Sequence, residues 1–109
     1  MNTAIIKVEA FEITGGDRLD PVQVYWYDIG SSRGHVTITC FGAAWTAYFN
    51  GMGFDALGGP VTIREFFAKA DVGYLIDNLH ANPLSASKRD LTYLKRIVST
   101  VKAALEEMP

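Results

Sequence analysis

The sequence predicts an α+β fold: a four-stranded antiparallel β-meander followed by three helices packed on one face of the sheet, in the order ββββααα. Three observations carry this. Before about position 60 the chain is rich in Val, Ile, Thr, Tyr and Trp that alternate with period 2, the spacing of a half-buried strand. After that point the apolar residues step with helical period. Short Gly, Asp, Pro and Ser clusters punctuate the first half, but none is long enough to act as a linker. Residues 1–109 therefore read as one domain.

The first strand is read over "TAIIKVEAFEI" (3–13), with Ala4, Ile6, Val8 and Ala10 on one face and Lys7 and Glu9 on the other. Phe11 and Ile13 fall out of that phase, so either a β-bulge intervenes near Ala10 or both faces are covered late in the strand. "GGDRLDP" (15–21) is a loop in which Asp17 and Asp20 have turn roles. "VQVYWYDI" (22–29) is the second strand, and "GSSRG" (30–34) is a short hairpin loop. In "HVTITCF" (35–41) Val36, Ile38 and Cys40 alternate with Thr37 and Thr39. "GAA" (42–44) is a tight connection turned by Gly42, and "WTAYFN" (45–50) is the fourth strand. Helix competes for 43–50, because Ala43, Ala44 and Ala47 are good helix formers. Strand is preferred, because the segment is short, lies between glycines, and carries Trp, Thr, Tyr and Phe.

The glycine-rich "GMGFDALGGP" (51–60) reads as a flexible loop. Thr62 with Glu65 has the capping-box spacing and opens "IREFFAKA". Asp71 caps "VGYLIDNLHA", whose apolar stripe is Val72, Leu75, Ile76 and Leu79, and Asn82-Pro83 ends it. Ser87 with Asp90 is an acidic capping box at the head of a long helix, 88–107. Leu91, Leu94, Val98, Val101 and Leu105 form its stripe, widened by Tyr93, Ile97 and Ala104. Helices behind one sheet cover its more apolar face, here Val36, Ile38, Cys40 and Trp26. The opposite face then presents Tyr25, Tyr27, Thr37, Thr39 and Tyr48.

The 109 residues are 49% hydrophobic and 20% charged, with a formal net charge of −2, so no global basic field recruits nucleic acid or anionic lipid. One cysteine forms no internal disulfide, which makes a reducing cytoplasm the default compartment. The start "MNTAIIKVEAFEI" carries a lysine and two glutamates, unlike a signal peptide. No apolar run nears the ~18 residues of a membrane span, so no membrane partner is expected.

Catalytic and cofactor chemistry finds few handles. His35 and His80 lie in different elements, no CxxC or HxxxH spacing occurs, and no metal is expected. His35 reads as an exposed residue beside a turn, and His80 as a favourable partner of a helix C-terminus. Cys40 and His35 sit five apart on one strand, which points them to opposite faces and removes a nucleophile–base pair. The 51–60 glycines match neither the dinucleotide fingerprint nor the P-loop. Asp28, beside two aromatics, reads as a hairpin-loop residue. No cofactor and no catalytic residue are assigned.

"VTITCFGAAWTAYFNGMG", "TIREFF", "DVGYLIDNL" and "KRDLTYLKRIVSTVKAAL" together resemble a group of small tailed-bacteriophage and prophage proteins of unassigned chemistry, over roughly residues 35–105. The resemblance implies an accessory phage gene acting inside a bacterial cell. The expected function is non-enzymatic binding of a host or phage protein, for example inhibition of a defence system or a regulator. Candidate contacts are Tyr25, Tyr27, Thr37, Thr39 and Tyr48 on the open sheet face, with Met52 and Phe54 in the glycine loop. A homodimer through the Leu91–Leu105 stripe belongs to the same class. The alternative is a nucleic-acid-binding accessory of phage recombination or transcription. It would stack bases on the tyrosines or use a basic strip of Lys88, Arg89, Lys95, Arg96 and Lys102.

Overall fold

The computed structural model describes residues 1–16, 18–30, 32–51, 62–80 and 86–108. Its strands are β1 (Glu9–Ile13), β2 (Val22–Gly30), β3 (Arg33–Cys40) and β4 (Ala43–Asn50). They form one antiparallel sheet in the order β1-β2-β3-β4, the expected meander. Three helices follow, α1 (Ile63–Lys69), α2 (Val72–Leu79) and α3 (Lys88–Glu107). The proposed stop at Asn82-Pro83 and the turn role of Asp17 fall outside the described residues.

Each helix starts where its side-chain cap predicts. Thr62 Oγ1 accepts from Glu65 N at 3.1 Å, Asp71 Oδ2 from Gly73 N at 3.1 Å, and Ser87 Oγ from Asp90 N at 3.1 Å. Each cap satisfies an amide that the helix itself leaves unpaired, worth about 1 kcal/mol. All three helices lie behind the sheet. Val22, Val24, Trp26, Val36, Ile38 and Cys40 face them and are buried. They meet Phe66 and Phe67 of α1, Leu75 and Leu79 of α2, and Leu94, Ile97, Val98 and Val101 of α3. The α3 stripe is thus consumed inside the chain's own core, with Leu91 and Leu105 packed partly against its margin.

Besides β3, which begins at Arg33 rather than His35 because Arg33 already pairs with Gly30, two boundaries differ from the sequence expectation. β1 is shorter than the segment 3–13, and its phase is inverted. Phe11 and Ile13 pair with Val24 and Val22 and pack against the core, so the odd-numbered residues face the helices. Ala10 faces the open side, opposite Tyr25, with no bulge between the two strands. The alternation over 4–10 misleads because residues 3–8 are not strand-paired, and the hairpin to β2 sets the phase.

At the other boundary, β3 and β4 pair through Cys40 and Ala43, leaving only Phe41 and Gly42 in the loop. Phe41 is the residue with left-handed backbone, at φ 56°, and Gly42 does not carry it. Gly42 lies in the turn as expected, but the left-handed position falls on Phe41 beside it. Phe41 is 89% exposed, and a bulky residue in this conformation costs roughly 1–2 kcal/mol.

Trp26, paired with Glu9 of β1 and Val36 of β3, is buried between the sheet and α1. Its ring meets Phe67 edge-on at 5.2 Å and Phe11 at 6.0 Å. Its Nε1 is buried without a hydrogen-bond partner among the described residues.

Close backbone approach explains one strand glycine. A Cβ on Gly34 would run into the Tyr27 carbonyl oxygen and stand 3.2 Å from Ile63 Cβ. Gly34→Ala is expected to lower stability by ~1–3 kcal/mol, as other over-packed sites do. Gly42→Ala, with open space around the new atom, serves as the control and is expected to change little. Urea denaturation of both variants checks this.

Candidate functional site

The uncovered face of the sheet is built in rows, because directly opposed residues of antiparallel strands share a face. One row is Tyr27, His35 and Tyr48, aligned across β2, β3 and β4. Tyr27 and His35 stack nearly parallel, with centroids 6.1 Å apart and planes at 9°. His35 and Tyr48 follow at 5.2 Å and 51°. The next row is Tyr25, Thr37 and Thr46, whose two threonine hydroxyls lie 3.0 Å apart. The third is polar: Thr39 Oγ1 donates to Gln23 Oε1 at 2.7 Å, and Gln23 Nε2 donates to Glu12 Oε2 at 2.7 Å.

All five sheet residues proposed from the sequence, Tyr25, Tyr27, Thr37, Thr39 and Tyr48, therefore meet on one surface. Met52 and Phe54 lie outside the described residues. His35 is exposed, as the sequence leads one to expect, but it stands at the centre of the aromatic row rather than merely beside a turn. Its parity with Thr37 and Thr39 was the available signal. As the first residue of the segment 35–41 it reads as flanking the hairpin instead of belonging to the face.

The face is almost free of basic groups. Arg33, at the hairpin end, is the one basic residue within the four strands, and its Nε donates to Gly30 O at 3.4 Å. Lys7 precedes β1, and Glu9 turns to the helix side, where it pairs with Arg64 of α1 at 2.7 Å. With the apolar Ala4–Ala10 series read as the covered face, Lys7 and Glu9 fall on the open one; the β1–β2 register corrects this for Glu9. Asp28 acts as a turn residue, its Oδ1 accepting from Gly30 N at 2.8 Å.

On α3 the basic residues do not form one strip. Lys88 and Lys95 follow one line of the helix, and Arg89 and Arg96 another about 100° away. Those four are exposed, but Lys102 is not free: its Nζ donates to the Ala70 carbonyl that ends α1. A cation at a helix C-terminus is favourable, so Lys102 has a structural partner there.

A family model described as a phage family matches residues 1–103. The chain belongs to this phage family. No curated protein and no solved structure matches it. The match starts well before the 35–105 span that carries the sequence resemblance and takes in β1 and β2. Among the described residues of this phage-family protein, no group of three or more His, Cys, Asp or Glu is placed to hold a metal ion. Nor is any described helix long and apolar enough to cross a membrane.

Cys40 and His35 point to opposite faces, as their spacing requires: Cys40 is buried and His35 exposed. The thiol instead joins β3 to α3. Tyr93 donates its hydroxyl to Cys40 Sγ at 3.4 Å, and Cys40 donates to Asp20 O at 3.6 Å. The Cys40 contact, burial, and the charges of Cys40 and Asp20 push the Tyr93 pKa from 10.0 up to about 12, with Arg96 opposing.

The fold therefore holds this proton at a pH where the unfolded chain releases it. The Tyr93 contribution to stability is complete below about pH 10 and is lost as pH rises towards about 12. The urea midpoint of the wild-type chain is expected to fall more steeply across that window than that of Tyr93→Phe. Equal slopes in the two proteins would contradict it.

Proposed function

We propose that this phage-family protein works without catalysis, by docking a protein of the bacterial host on its open sheet face in the cytoplasm. The observation that supports this most is the Tyr27–His35–Tyr48 row beside Tyr25, on the side of the sheet that no described helix covers, with Tyr25, His35 and Tyr48 exposed and Tyr27 half-buried. Tyrosines bring large contact area at small entropic cost, and they are enriched where binding energy concentrates. The surrounding hydroxyls and amide already satisfy one another, so covering them removes few bonds to water. A protein surface is favoured over nucleic acid because the strands bring only Arg33 to this face, whereas phosphate binding rests on clustered cations. Inhibition of a defence factor or a regulator is the role that suits an accessory phage protein of this kind.

The nucleic-acid reading keeps one specific observation. Lys88, Arg89 and Arg96 line a groove on α3 together with Tyr93, Thr92 and the acidic Asp90. Cations beside an aromatic ring can hold a phosphate backbone and stack a base. The two readings use different surfaces, so variants separate them.

A Tyr25→Ala/Tyr48→Ala variant is expected to keep its melting temperature, because both side chains are largely outside the core. It is expected to lose a host protein that the wild-type chain retains in affinity capture, with recovery down at least tenfold. An Arg89→Ala/Arg96→Ala variant is expected to keep that partner. Mobility shifts with single- and double-stranded DNA are expected to show no binding at low salt. A shift that fades steeply with added salt and disappears with the arginine variant would favour the α3 groove instead.

A further inference from the structure

β1 is an outer strand of the sheet, with β2 on one side and no strand of the described residues on the other. The chain leading into it, residues 1–8, is exposed and makes no strand pairing. It is also apolar, with Ile5 101% exposed and Ile6 and Val8 largely so. Yet "TAIIKVEAFEI" has the β-prone composition of one continuous strand, of which only the second half lies in the sheet. An apolar, β-prone segment running on from an open sheet edge is a template for another strand.

We propose that two copies of the chain pair through this segment, antiparallel, about a two-fold axis that passes between the two copies of Val8. In this register Lys7 stands opposite Glu9 of the second copy, and by symmetry the pair occurs twice. Ile5 stands opposite Phe11 of the second copy, and Thr3 opposite its Ile13. Opposed residues share a face, so Ile5 arrives on the helix side of the partner sheet. There Phe11 and Ile13 are only partly buried, at the margin of the core.

Charge selects this register. The Glu9 side chain is 57% exposed beside Arg64, which leaves room for a second cation. A register centred on Ile6 would set Lys7 against Ile5 and lose the charge match. The Val8-centred pairing uses residues 3–13 of both copies and is self-complementary, as a closed two-fold interface must be. It joins two four-stranded sheets into one. It rests on residues other than those of the open-face reading, and neither depends on the other.

Sedimentation velocity of the full chain is expected to show a dimer of about 24 kDa, twice the 12.0 kDa chain. Lys7→Glu puts like charges opposite each other twice and is expected to weaken the dimer about tenfold. Glu9→Lys does the same, and an equimolar mixture of the two variants is expected to recover association as a heterodimer. Val8→Cys is expected to form a covalent dimer on oxidation, because the residue meets its own copy within disulfide reach. Ile5→Cys is not, since its two copies stand six residues apart along the strands, about 20 Å. A wild-type chain that stays monomeric up to roughly millimolar concentration overturns the proposal. So does a dimer that cross-links through Ile5→Cys and not through Val8→Cys, including one formed with another strand edge.

Discussion

The register of β3 between β2 and β4 is the constraint on which the rest of this structure depends. Side chains on a strand alternate strictly, so one pairing decides the face of every residue on three strands. Val36 opposite Trp26 and Ile38 opposite Val24 place the apolar series against the helices. The same pairing puts Tyr27, His35 and Tyr48 into a single row on the other side. A slip of one residue would bury the tyrosines and expose the valines. The tight β3–β4 connection holds that register even though it forces Phe41 into left-handed backbone.

The two faces consequently carry different kinds of interaction. On the helix side, burial dominates, and the few polar contacts act as fasteners between elements. Tyr93 with Cys40 ties α3 to β3, Lys102 with Ala70 O ties α3 to the end of α1, and Arg64 with Glu9 ties α1 to β1. On the open side, aromatic rows and hydroxyl pairs organise a surface that contributes little to the core. The residues of the proposed docking face and those of the core thus separate by strand parity. Substitutions on the tyrosine face can change recognition while leaving the hydrophobic contacts intact.

The two surfaces proposed for association are compatible in space. A two-fold axis perpendicular to the sheet at Val8 leaves both open faces on the same side of a continuous eight-stranded sheet. A dimer would then present the tyrosine row twice, in a fixed relative orientation. Two rigidly linked sites gain avidity for a partner that is itself repeated or symmetric, without any new contact.

Local chemistry made much of the fold legible. Helix starts at Thr62, Asp71 and Ser87 follow from side chains that reach amides two or three residues away, a geometry independent of the rest of the chain. The faces of β3 follow from its period-2 alternation, and five residues of the candidate surface were read from that pattern. What the sequence by itself determined is therefore the set of elements, their order and the two-sided character of the central strands. Tertiary structure decided the phase of β1, the position of His35 within the aromatic row, the backbone strain at Phe41 and the capture of Lys102 by Ala70 O. Each of these depends on a partner many residues away or on a hairpin register. Hydrophobic pattern ranks the residues to be buried, whereas pairing between distant strands and helices selects which face and which partner each one receives.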